Sequence, residues 1–133
     1  MLNMEPTMPI AFWCVLLAAI LPVVTVGVAK WGQDYDNRQP RQWSESLAGY
    51  RLRAHAAHQN GYEAFPFFAA AVFGATYLGA PSDTVGALAL AFIVTRVLYT
   101  ICYVLDWPTQ RSLVWMASWA ATIALFTAPA WAN

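Results

Sequence analysis

Apolar and polar residues are sharply segregated along the chain. The 21 residues from 9 to 29 carry no charge, and about 20 apolar residues suffice to cross a hydrocarbon core. The pattern predicts a helix over 9–30, bent where Pro22 removes one internal hydrogen bond. Residues 30–43 are polar and include Gly32, Asp34, Asp36, Asn37, Arg38, Pro40 and Arg41; they read as a loop with at most a short helical turn. Ser44 is then a candidate N-cap for one long helix over 44–79, polar over 47–63, apolar over 64–80, and ended by Gly79 and Pro81. Such a helix spans roughly 50 Å against a core of about 30 Å, so its first turns stand in the headgroup region or in water. Pro66 leaves the Tyr62 carbonyl without its helical partner and predicts a kink. A third helix over 83–106, capped by Ser82 or Asp83 and closed by Asp106, Trp107 and Pro108, and a fourth over 109–132 complete the pattern. The expectation is one all-α domain over 1–133, an integral membrane four-helix up-down bundle joined mostly by short loops.

Composition strengthens this reading. Hydrophobic residues make up 59% and charged residues 11% of the chain, far from the balance of a soluble domain. Trp31, Trp107 and Trp131 fall near helix ends, where interfacial aromatics anchor. The net charge is zero, which leaves no basic surplus for nucleic acid. Glu5 and the lack of any Lys or Arg before the first apolar run argue for a retained helix rather than a cleaved signal. Lys30, Arg38, Arg41, Arg51, Arg53 and Arg111 gather on the same side of the expected topology. By the positive-inside rule both termini are expected to face away from the cytoplasm. Cys14 and Cys102 sit in apolar runs and read as small buried hydrophobes rather than a disulfide.

Ionisable residues inside helices call for a partner. In the second helix Arg53 and Asn60 project within about 20° of each other, two turns apart, and Glu63 follows one turn on. In the third helix Arg96, Tyr99 and Tyr103 share a face, and Arg96 lies 12 residues in. Arginine does not give up its proton in proteins, so it must meet an anion or carbonyls, and Glu63 is the carboxylate at comparable depth. The spacing therefore predicts a Glu63–Arg96 pair. That pair alone could be a structural lock, with Asn60 bonding across the helix interface. The added Tyr99, Tyr103, Arg111 and Ser112 extend the cluster beyond what a lock needs. His55 and His58 share a face but lack a third ligand at useful spacing, so no metal site is expected.

The segments RAHAAHQNGYEAFPFF, RVLYTICYVLD and RSLVW together resemble the MAPEG family, the membrane-associated proteins in eicosanoid and glutathione metabolism, and look closest to its small bacterial members. The resemblance covers most of the chain and, through those bacterial members, implies a bacterial inner membrane as the setting. It implies a homotrimer of four-helix subunits that takes glutathione as co-substrate between neighbouring subunits. Asn60 and Glu63 match positions that bind the glutathione backbone, and Arg53 and His58 match positions near that motif. Arg96, Tyr99 and Tyr103 match the third-helix element, and Arg111, followed by Ser112, matches the arginine that stabilises the thiolate. Arg cations would hold the two glutathione carboxylates and Glu63 its amine. Two positions depart from the pattern. Ala56 stands where the prostaglandin and leukotriene synthases of the family carry an arginine, with Arg51, Arg38 and Arg41 as candidate replacements, and Trp115 stands where one branch has tyrosine.

The resemblance implies a membrane glutathione transferase or peroxidase, with Arg111, Ser112 and Tyr103 at the thiol and an apolar electrophile or lipid hydroperoxide arriving through the bilayer. The alternative is a non-catalytic lipid-binding subunit or an accessory subunit of a larger membrane complex, since the family includes a non-enzymatic protein of this kind. A small transporter is a third class, disfavoured because the charges cluster at one end instead of lining a path across.

Overall fold

The computed structural model describes residues 8–32 and 34–132. Glu5, on which the expectation of a retained first helix partly rests, lies outside the described residues. Among these residues every regular element is a helix: α1 (Ile10–Ala29), α2 (Pro40–Glu45), α3 (Gly49–Tyr77), α4 (Ser82–Val104) and α5 (Pro108–Trp131). Helices α1, α4 and α5 are each long and apolar enough to cross a bilayer, and the chain is an integral membrane protein. α3 is the longest at 29 residues, but its first half carries Arg51, Arg53, His55, His58 and Glu63, which keeps it out of that class by composition. The outward face of α1 exposes Trp13, Leu17, Val23 and Val24, as a lipid-facing surface does.

The single helix expected over 44–79 is in fact two. Pro40 opens α2 in the first-turn position that suits it. Trp43 and Leu47 then turn inward and bury against Ala29 and Ala54, which draws the backbone out of helical register. Gly49 resumes the helix at φ +59°, a conformation that favours glycine. Ser44 is therefore not the cap of α3. It lies inside α2 and donates its hydroxyl to the Arg41 carbonyl, while Ala48 occupies the cap position of α3 without a side-chain bond. Likewise neither Ser82 nor Asp83 caps α4, which begins at Ser82 with Pro81 before it.

α3 packs against α1, α4 and α5, and α4 lies along α5. At the α1–α3 crossing Pro22 fits against Gly61, where a β-carbon would stand 2.7 Å from the proline ring. In the centre Phe68 of α3 and Phe92 of α4 stack face to face with ring centroids 3.9 Å apart, both buried with Val72, Leu125 and a run of alanines.

Side chains of α3 fix the polar end. Arg51 grips Asp34 with both terminal nitrogens, at 2.9 and 2.7 Å, and donates Nε–H to the Ala29 carbonyl that ends α1. The guanidinium holds the Asp34 carboxyl below the usual carboxylate range. Arg53 Nε donates to the Val104 carbonyl at the end of α4. That end closes with Trp107 N–H on the Cys102 carbonyl and Asp106 N–H on the Tyr103 carbonyl, the paired bonds of a Schellman stop. It places Asp106 at φ +61°, a left-handed conformation occupied by a residue other than glycine. The turn leads directly into Pro108 at the start of α5 and so sets the position of Arg111.

Candidate functional site

The site is built on α3, α4 and α5. Arg96 is only 3% exposed. Its Nη2 donates to Asn60 Oδ1 at 2.8 Å, and Asn60 Nδ2 donates to Glu63 Oε2 at 3.1 Å. Arginine only donates and a carboxylate only accepts, so one orientation of the Asn60 amide satisfies both neighbours. The direct Glu63–Arg96 ion pair expected from spacing is thus replaced by a relay. The ion pair found among the described residues is Arg51–Asp34. The reason is steric order along α3: Asn60 lies one turn before Glu63 and meets the arginine first.

The cluster continues toward α5. The Arg96 guanidinium stands 4.2 Å from the centroid of the Tyr99 ring. Tyr99 packs edge-to-face on Tyr103 at 5.6 Å, and Arg111 lies 4.3 Å over the Tyr103 ring. Tyr99, Tyr103, Arg111, Ser112 and Trp115 line a cavity of about 220 Å³. A second cavity of about 150 Å³ is lined by Asn60, Glu63, Ala64, Phe67, Trp115 and Trp119. Trp115 belongs to both and divides a polar chamber from one with an aromatic wall.

Several donors remain unspent. Arg96 Nη1 is buried without a hydrogen-bond partner, and a buried unsatisfied donor of a charged group is costly. Among the described residues no carboxylate pairs with Arg111. Ser112 lines the chamber, but its hydroxyl donates to the Pro108 carbonyl at 3.0 Å, so its oxygen rather than its proton faces a ligand. Arg111 and the two phenols line one cavity, Glu63 lines the other, and Arg96 is buried behind Tyr99 and Asn60; this set of charges suits a ligand with more negative than positive groups.

Other sequence candidates are used elsewhere. His58 Nδ1 donates to the Pro22 carbonyl at 2.6 Å, which fastens α3 to α1 on the side away from Arg96. Arg53 caps α4. Arg51, a candidate replacement for the arginine absent at Ala56, is saturated by Asp34 and Ala29. Conversely, Phe67, Trp115 and Trp119 line the site without having been singled out as site residues. The signal was present: Trp115 and Trp119 follow Arg111 at intervals of four, and Phe67 follows Glu63 by four, the repeat that aligns side chains on one helical face.

No curated protein and no solved structure matches the chain. A family model does: that of the MAPEG family, over residues 10–131. That span takes in every helix described above, and the chain belongs to the MAPEG family.

Proposed function

We propose that the protein is a membrane glutathione transferase or peroxidase acting on apolar electrophiles or lipid hydroperoxides. The observation that carries this reading is the Glu63–Asn60–Arg96 relay, with one arginine donor left open, beside a chamber that holds a second arginine with no carboxylate partner among the described residues. Glutathione bears two carboxylates, an amine and a thiol. Arg96 and the phenols suit a carboxylate, Glu63 suits the amine, and Arg111 suits the sulfur. A thiol is a weak nucleophile and its thiolate a strong one; a neighbouring cation lowers the thiol pKa. With an aryl chloride the thiolate sulfur bonds to the ring carbon, chloride leaves with the bonding pair, and the thiol proton passes to solvent. With a hydroperoxide, two thiols are oxidised to a disulfide while the peroxide is reduced to an alcohol and water. Phe67, Trp115 and Trp119 supply the apolar wall for the second substrate.

The family relationship supports further elements of this reading: a homotrimer with the thiol between neighbouring subunits, a fourth crossing formed by the apolar half of α3, and both termini on the non-cytoplasmic side. Ala56 and the saturation of Arg51 favour a second reading, a lipid-binding or accessory subunit that keeps the fold without the reaction. Calorimetry with millimolar glutathione on the purified protein, followed by a conjugation assay, separates them. Binding with turnover supports the enzyme. Binding of lipid without any heat from glutathione supports the accessory subunit.

A further inference from the structure

A third cavity, of about 340 Å³, lies between the end of α1, the connection that follows it, α2 and α3. It shares no lining residue with the two cavities at Arg96 and Arg111. Its α3 wall is His55 and Gln59, and His55 projects about 140° around the helix from Asn60. Lys30, Tyr35, Arg41 and Ser44 complete its polar lining.

Three features point to an anion. First, both charged lining residues are cations and no Asp or Glu lines the cavity. The nearby acids are occupied or turned away: Asp34 is held by Arg51, and Asp36 accepts the Arg38 backbone N–H and lines separate space beyond Trp43. Lys30 donates one N–H to the Tyr35 hydroxyl, which leaves two, and Arg41 has no ion-pair partner among the described residues. Second, His55 Nδ1 is buried with no hydrogen-bond partner. Third, the level is distinctive. Lys30 directly follows the last residue of the apolar helix α1, Val26 lines the cavity on the apolar side, and Tyr35 and Trp43 wall it edge-to-face at 4.8 Å. This is the depth at which aromatic belts and phospholipid phosphates meet, and basic pockets between membrane helices hold lipid head groups.

We propose that this cavity binds a phosphate group, with Lys30 and Arg41 as its charge partners and His55 and Gln59 as neutral donors. The phosphate belongs either to the head group of an anionic phospholipid or to free phosphate. The site is separate from the thiol chamber and stands whether or not the protein turns over glutathione.

The test uses the purified full chain in neutral detergent, with phosphatidylglycerol and inorganic phosphate as probes, read by native mass spectrometry and by titration. Lys30→Gln/Arg41→Gln is expected to weaken phosphatidylglycerol binding at least about tenfold, since each basic side chain near the surface contributes about 1 kcal/mol. Arg38→Gln, which removes a charge outside the cavity, is expected to leave binding within about twofold. Lipid that resists millimolar inorganic phosphate assigns the site to the head group; displacement by it, or binding of phosphate alone, assigns it to free phosphate. If the double variant loses its helical circular dichroism, Arg41→Gln alone, at an exposed residue with no ion-pair partner among the described residues, is expected to weaken binding about fivefold. The proposal is overturned if the Lys30/Arg41 variant binds as the wild type does, if Arg38→Gln weakens binding equally, if neither probe binds, or if millimolar glutathione displaces the lipid.

Discussion

The two sides of α3 are built from residues within one turn of each other and end in opposite states. On the α1 side, at the crossing itself, His58 donates to the Pro22 carbonyl and Gly61 admits the Pro22 ring, so there polar groups are paired and space is filled, and the cavity at His55 lies nearer the end of α1. On the α4 side, Asn60 and Glu63 meet Arg96 through a relay that leaves Arg96 Nη1 open, and cavities flank it. A helix interface that only holds a fold has no use for a buried donor without a partner. On the proposed function the open seam carries the chemistry and the crossing at Pro22 carries stability, and substitutions at the two are expected to separate accordingly.

The largest expected effect is on the open side. Arg111→Ala removes the cation beside the proposed thiol and is expected to lower kcat/KM for conjugation by about 100-fold or more, as loss of one preorganised charge stabiliser does, with little change in melting temperature. Steady-state kinetics and thermal unfolding of the same preparation check both halves. Gly61→Ala is the converse case. The new β-carbon meets a rigid proline ring, and overpacking of this kind costs about 1–3 kcal/mol; the melting temperature should fall while the glutathione affinity of the folded fraction holds. Asn60→Leu couples the two sides. It strands Arg96 Nη2 in a buried position, so a loss of about 1–3 kcal/mol and weaker glutathione binding are both expected, whereas a variant that loses stability alone would reduce the relay to a lock.

Smaller effects test the frame around the site. Asp106→Gly relieves a left-handed residue in the α4–α5 turn and should stabilise by about 1 kcal/mol, measurable as a raised melting temperature with activity retained. The Arg51–Asp34 clamp gives the smallest change. The Asp34 carboxyl is held below its ordinary value by Arg51, so its contribution is complete above the unfolded-state pKa of about 4 and disappears as pH falls through the lower folded value. Asp34→Asn should lower the melting temperature slightly at neutral pH, leave it nearly unchanged at acid pH where the contribution is already lost, and so remove that acid-limb dependence.

How far the sequence reveals these seams depends on how local the signal is. Asn60, Glu63, Arg96, Tyr99 and Tyr103 are legible because ionisable and phenolic residues recur at helical spacing within apolar surroundings, where each demands a partner. The identity of the partner is less legible: the relay through Asn60 depends on which residue of α3 reaches Arg96 first. His58 looks equivalent to Asn60 in sequence and is turned to α1 only because Pro22 and Gly61 fix where the two helices cross. Arg53 shares a face with Asn60 along α3, yet the end of α4 lies opposite it and takes its N–H. The break between α2 and α3 lacks a proline at the junction, and burial of Trp43 and Leu47 produces it. Trp115 and Trp119 pass for membrane aromatics until the cavities on both sides of Trp115 are seen.

The most direct measurement is the ultraviolet thiolate band of glutathione bound to the purified protein at neutral pH. The open seam predicts that the band appears on saturation of the wild type, disappears in Arg111→Ala, and persists in Gly61→Ala. No band at saturating glutathione, or an equal band in Arg111→Ala, would contradict it.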